Sequence, residues 1–142
     1  MNDWTTIFGS YLNTGVYAIT SGLDIDSIKK AAIAWKLDFL HVDLKKVTSK
    51  TSVLKKVAYE LDFPEYFGMN WDALSDCLTD MSWRPADGYV LLFTNIQLLS
   101  ENTPADMEII REIFDSSAQY WKQKKVPFYI LLSETEKSSQ NR

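Results

Sequence analysis

The sequence predicts an α/β fold: a parallel sheet of three or four strands, with helices packed mainly on one face. Three observations predict it. Short β-branched or apolar runs alternate along the chain with segments whose apolar residues recur at helical spacing. One run, GYVLLFTN (Gly88–Asn95), is almost continuously apolar, as a central parallel strand buried on both faces must be. The element order β-α-β-α-α-β-α-β is the order of parallel strands joined by helical crossovers.

Each element has a local reason. GVYAIT (Gly15–Thr20) is short, apolar and partly β-branched, and reads as a strand. Asp24 caps the next segment, in which Ile25, Ile28, Ala32 and Trp35 recur at helical spacing. LDFLHVDL (Leu37–Leu44) alternates, with Phe39 and His41 on one side and Leu40 and Val42 on the other, so it is a second strand. Val53, Leu54, Val57, Ala58 and Leu61 form one apolar stripe, with Ser49 or Thr51 as its cap. Pro64 ends that helix, because the residue before a proline avoids the α region. Glu65–Met69 is then a loop, with Gly68 as its expected left-handed position. Asn70 caps a helix running from Trp71 to about Ser82, lined on one side by Trp71, Leu74, Cys77, Leu78 and Met81. Thr103-Pro104 starts a long helix with proline at its first position. Met107, Ile110, Phe114, Ser117 and Trp121 make its buried side, and Lys122, Lys124 and Lys125 complement its C-terminal dipole. PFYILL (Pro127–Leu132) is the last strand.

Composition excludes several function classes. The 142 residues suffice for one domain with a core that needs neither disulfides nor metals. Cys77 is the only cysteine, so no internal disulfide forms, which fits a reducing, cytoplasmic setting. It lies on the apolar side of its helix and reads as a small buried hydrophobe. His41 is the only histidine, and with one His and one Cys no zinc site of ordinary spacing can be built. No glycine-rich phosphate loop occurs, no cofactor is implied, and no stretch approaches the roughly 18–20 apolar residues of a membrane span. The first fifteen residues do not read as a signal peptide.

Charge is distributed unevenly. Between Val57 and Gly88 lie seven acids (Glu60, Asp62, Glu65, Asp72, Asp76, Asp80 and Asp87) and one base, Arg84. Nucleic-acid binding needs a basic stripe, and this segment is the opposite. On a helix from Trp71 to Ser82, Asp72, Asp76 and Asp80 fall four apart in one row, with Thr79 in the same sector. Like charges at that spacing repel by a few tenths of a kcal/mol per pair. Asp72 gains from the helix N-terminus, Asp76 and Asp80 do not, and no base stands at a neighbouring helical position. Acidic solvent-facing helix surfaces are common, but this one is framed by Tyr66, Phe67 and Trp83. Carboxylates beside large aromatics resemble a surface that binds a protein.

The segment PEYFGMNWDALSDCLTD resembles the barstar family of intracellular ribonuclease inhibitors. The shared features are a Pro-Glu-Tyr-aromatic-Gly loop and an Asn-x-Asp-Ala-Leu-x-Asp-Cys-Leu-Thr helix. The resemblance covers roughly Leu37 to Ser133. It divides a single domain, 1–142, into an N-terminal strand–helix extension (1–36), a barstar-like core (37–133) and a frayed polar tail (134–142). It implies that the helix and its loop plug the cationic active site of a secreted or delivered guanyl-type ribonuclease. Asp76 would stand in for an RNA phosphate, with Asp72 one turn earlier, and Tyr66 would pack on an active-site histidine. Gly68, Asn70 and Thr79 match further contact positions, and Asp80 and Trp83 border them. A monomeric immunity protein is the expected form, with no nucleic-acid or membrane partner. The chain departs from the family pattern at Ser75, where the smallest inhibitors carry tryptophan. The family's acidic contact on the long helix has only Asp115 or Ser116 nearby. Two other readings stand beside this one: the same module binding a partner that is not a ribonuclease, and an enzyme using Asp72 and Asp76 as a carboxylate pair for acid/base or divalent-cation chemistry.

Overall fold

The computed structural model describes residues 3–134; all but the first residue of the expected polar tail lies outside them. Six helices and four strands alternate: α1 Trp4–Ile7, β1 Gly15–Ile19, α2 Ile25–Ala34, β2 Asp38–Asp43, α3 Lys50–Glu60, α4 Trp71–Leu78, β3 Tyr89–Thr94, α5 Gln97–Asn102, α6 Pro104–Gln123 and β4 Phe128–Ser133. A 3-10 turn, Tyr11–Asn13, precedes β1. All three strand pairings are parallel, in the order β1-β4-β3-β2. The extension therefore joins the main sheet, with β1 as one edge and β2 as the other.

Travel across the sheet reverses once. The chain crosses from β1 to the far edge at β2, then steps back through β3 to β4. Crossovers that share one hand must place helices on opposite faces when the direction of travel reverses. The packing follows this rule. Leu40, Val42, Leu91, Phe93, Ile130 and Leu132 lie under α3 to α6. Val90, Leu92, Tyr129 and Leu131 pack instead with Trp4 and Phe8 of the N-terminal segment and Ile28 of α2. Four helices thus share one face, and α1 and α2 cover the other. The two central strands, β3 and β4, are buried at every position.

Several ends differ from expectation. α3 stops at Leu61, before Pro64, because Asp62 takes a left-handed φ of 56°. Trp35 is not on the buried stripe of α2; it caps the helix, stays 47% exposed, lies over Gly9 and donates its indole N–H to the Thr5 carbonyl at 2.6 Å. Asp24, Ser49 and Asn70 cap α2, α3 and α4, and Pro104 opens α6.

Tyr129 makes the second face sensitive to alkali. Its ring is fully buried against Phe8, at 4.8 Å between centroids, and its hydroxyl donates to the Ser10 carbonyl at 2.6 Å. Burial pushes the phenol up to about 12, and the neighbouring Tyr17 adds to the shift. An unfolded tyrosine ionises near 10. Tyr129 therefore contributes stability that is complete below pH 10 and is lost as pH rises from 10 to about 12. Denaturant midpoints measured across that window should fall in the wild type. In Tyr129→Phe the fall should be shallower, from a lower starting stability. An identical slope would assign the alkaline loss to another group.

Candidate protein-binding face

α4 is short, and its attachment is strong for its length. Leu74, Cys77 and Leu78 are buried, and each large apolar side chain so buried contributes about 1.5–3 kcal/mol. Trp121 of α6 donates its indole N–H to the Leu78 carbonyl at 2.8 Å. The Lys50 ammonium sits over the Trp71 ring, 5.2 Å from its centroid. The opposite side of the helix carries Asp72 and Asp76, both exposed. Neither carboxylate has a hydrogen bond or salt bridge among the described residues.

The N-terminus of α4 is built by Asn70. Its side-chain oxygen accepts from the Ala73 N–H at 2.7 Å, and its amide donates to the Gly68 carbonyl at 3.2 Å. The first bond satisfies an orphan donor of the helix, and the second ties the loop to it. Asn70→Ala should lower stability by about 1 kcal/mol. The shift should appear in the urea midpoint at unchanged slope, and Asn70→Ser should recover most of it.

The loop before α4 presents Tyr66, which is 74% exposed. Phe67 turns the other way, onto Phe63, with ring centroids 5.0 Å apart. Gly68 is not the left-handed residue; Met69 is, at φ 55°. Gly68 matters for space instead, since a Cβ there would lie 3.3 Å from the Asn70 amide nitrogen.

The row of three aspartates is shorter than its spacing suggests. α4 ends at Leu78, not near Ser82, so Asp80 lies beyond the helix in the turn that follows it. The Thr79 hydroxyl donates back to the Ser75 carbonyl at 2.9 Å, a competition with the backbone common at helix ends. Met81 then takes a φ of 56° and drops into the core at 1% exposure. Asp80 stays exposed. Burial pushes the Cys77 thiol up, and the carboxylates of Asp80 and Asp76 push it further. Cys77 is therefore a poor nucleophile.

Trp83 and Arg84 turn inward. The Trp83 indole N–H donates to the Leu61 carbonyl at 3.0 Å, and its ring meets Phe63 edge-on at 5.5 Å. Arg84 forks onto both oxygens of Asp38, at 2.9 and 3.1 Å, and reaches Asp62 at 3.0 Å. The one cation of the acidic segment is thus paired, and Asp72, Asp76 and Asp80 are left uncompensated. No local signal marks Asp38 as its partner, 46 residues away. Asp115 and Ser116 are exposed on α6, the helix that holds α4 through Trp121.

An apolar void of about 10 Å³ lies beneath α4, bordered by Leu54, Trp71, Leu74 and Phe93. An open concavity of about 720 Å³ lies elsewhere, at the start of β2, around Ile33, Lys36, Asp38, Trp83 and Arg84. No group of three or more His, Cys, Asp or Glu suited to a metal ion occurs among the described residues. No helix among them is long and apolar enough to cross a membrane.

Fold and face together define a class: an α/β domain that presents an acidic helix and an exposed tyrosine on one side of a parallel sheet. The family model for Barstar (barnase inhibitor) matches residues 37–133, and the chain belongs to that family. The family is one of inhibitor domains, which supports a protein-binding role. The match opens one residue before β2 and closes on the last residue of β4, so α1, β1 and α2 lie outside it. A comparison with curated proteins finds no match.

Proposed function

We propose that this protein inhibits a cytotoxic, guanyl-type ribonuclease by covering its cationic active site with α4 and the Tyr66 loop. One observation carries the reading: within the matched family segment, Asp72 and Asp76 are exposed and unpaired among the described residues, and Tyr66, on the loop before the same helix, is 74% exposed. Asp76 takes the place of an RNA phosphate and receives the enzyme's basic side chains. Tyr66 supplies a rigid aromatic anchor that costs little entropy to place. Gly68, Asn70, Asp72, Thr79 and Asp80 complete the contact face, with Trp83 at its border. Complementary fields speed the encounter, and exclusion of water around the charge pairs holds the complex. The free protein is monomeric and acts inside the cell that makes it, as an immunity protein.

The test is inhibition. The protein is mixed at stoichiometric concentration with a panel of guanyl-type ribonucleases, and RNA cleavage is followed. Silencing of at least one enzyme supports the reading, and full activity of every enzyme rejects it. Ser75, half-buried where the smallest inhibitors carry tryptophan, favours one second reading: the same face serving a partner that is not a ribonuclease. Capture from the native cell with wild type and with a Tyr66→Ala/Asp76→Ala variant separates the two.

A further inference from the structure

α4 is eight residues long and flanked by irregular segments on both sides. The segment before it carries Tyr66, and the segment after it carries Asp80. Asn70 ties Gly68 to the start of α4, and the rest of the loop is held from behind, through contacts that converge on two adjacent residues.

Arg84 is held to the sheet. Its guanidinium forks onto Asp38, the first residue of β2, and its carbonyl accepts the hydroxyl of the buried Tyr89 of β3 at 2.5 Å. Its N–H donates to the Met81 carbonyl at 3.0 Å, closing the turn after α4. Trp83, the preceding residue, is thereby fixed as well. Its indole donates to Leu61, its ring packs on Phe63, and Phe63 packs on Phe67, the neighbour of Tyr66. The remaining Arg84 nitrogen reaches Asp62 in the same turn. The Asp62 arm is well exposed and weak, whereas the Asp38 arm is bidentate and only a quarter exposed, so the fork on Asp38 dominates.

We infer that Trp83 and Arg84 form a clamp that sets the Tyr66 loop against α4, so that both are positioning residues for the binding face. This rests on the inhibitor reading above for its functional consequence, but the clamp itself is a property of the free protein. The path runs from β2 through Asp38, Arg84, Trp83 and Phe63 to the loop. Lysine keeps the charge of Arg84 and loses the fork. Phenylalanine keeps the ring of Trp83 and loses the bond to Leu61.

Two measurements on the full chain test it. In the free protein, Arg84→Lys should speed amide hydrogen exchange about tenfold, the worth of one charge-assisted hydrogen bond, at Phe63 and Phe67, whose N–H groups donate to the Ala58 and Pro64 carbonyls. Amides of β3 should keep their protection, which also shows that the variant is folded. Trp83→Phe should act in the same direction and serves if Arg84→Lys fails to fold. In complex with a ribonuclease that the wild type inhibits, Arg84→Lys should raise the dissociation rate about tenfold and leave the association rate within about twofold. In a Tyr66→Ala background the same change should add little, because the clamp acts through Tyr66. Unchanged exchange in the loop overturns the inference, as does an equal gain in dissociation rate in both backgrounds. If the wild type inhibits no ribonuclease, the functional reading fails and the exchange result alone decides the clamp.

Discussion

Asp76→Ala should abolish inhibition while leaving the fold intact. The side chain is exposed and makes no hydrogen bond or salt bridge among the described residues, so its removal takes little from the native structure. It also relieves a like-charge pair with Asp72, and stability should stay within about 0.5 kcal/mol of wild type or rise slightly. On the proposed reading the same carboxylate would face desolvated cations in the complex, and its loss would leave them buried and unpaired. The expected cost is at least a thousandfold in Kd, about 4 kcal/mol, a scale taken from the barnase–barstar pair itself rather than derived from this chain. The loss should fall mainly on the dissociation rate. Inhibition titrations of wild type, Asp76→Ala and Asp72→Ala against one susceptible ribonuclease check this. Asp76→Ala that still inhibits at equal concentration would reject Asp76 as the phosphate mimic.

Gly88→Ala should be the most damaging of the small substitutions. Gly88 lies just before β3, where its carbonyl accepts the Asp38 N–H at 2.9 Å. A Cβ there would sit 2.7 Å from the Leu37 side chain, 2.7 Å from the Pro127 carbonyl oxygen and 3.0 Å from Pro127 Cβ. The leucine tip can move, but the carbonyl is backbone, one residue from the start of β4. Relief requires β3 and β4 to separate at their shared end, which disturbs two of the most buried strands. Overpacking of this kind costs about 3 kcal/mol, or roughly 10 °C in Tm for a chain of this size. A thermal or denaturant transition measures it, and a loss under about 1 kcal/mol would mean that the strand ends yield more easily than their packing suggests.

What could be read from the sequence was local. Asn70, Asp24 and Pro104 announce their helices because a cap acts within one turn. The β3 run announces a central strand because both faces must be apolar at once. The exposure of Asp72 and Asp76 follows from the apolar positions on the other side of the same helix. What escaped depends on distant partners. The end of α4 is set by Met81 entering the core, which no propensity encodes. The left-handed residue is Met69 rather than Gly68, a choice that glycine's conformational freedom alone does not reveal. Short α1 and α5 carry too few turns for a periodic signal. The Asp38–Arg84 fork joins two segments that only the sheet brings together, and Trp83 reads as a surface aromatic until its N–H is seen bonded to Leu61. The candidate face was thus legible as a set of side chains, and its supporting frame was not.

The reversal of direction in the sheet has a practical meaning for anyone trimming this protein. The family segment looks like a natural unit, yet β4 owes one hydrogen-bonded neighbour to β1 and one apolar cover to α1 and α2. Cut at residue 37, the remaining three strands would offer a long unpaired edge beside bare Val90, Leu92, Tyr129 and Leu131, the combination that recruits other chains into aggregates. Residues 3–36 shield an edge and a face that the family segment alone would leave bare.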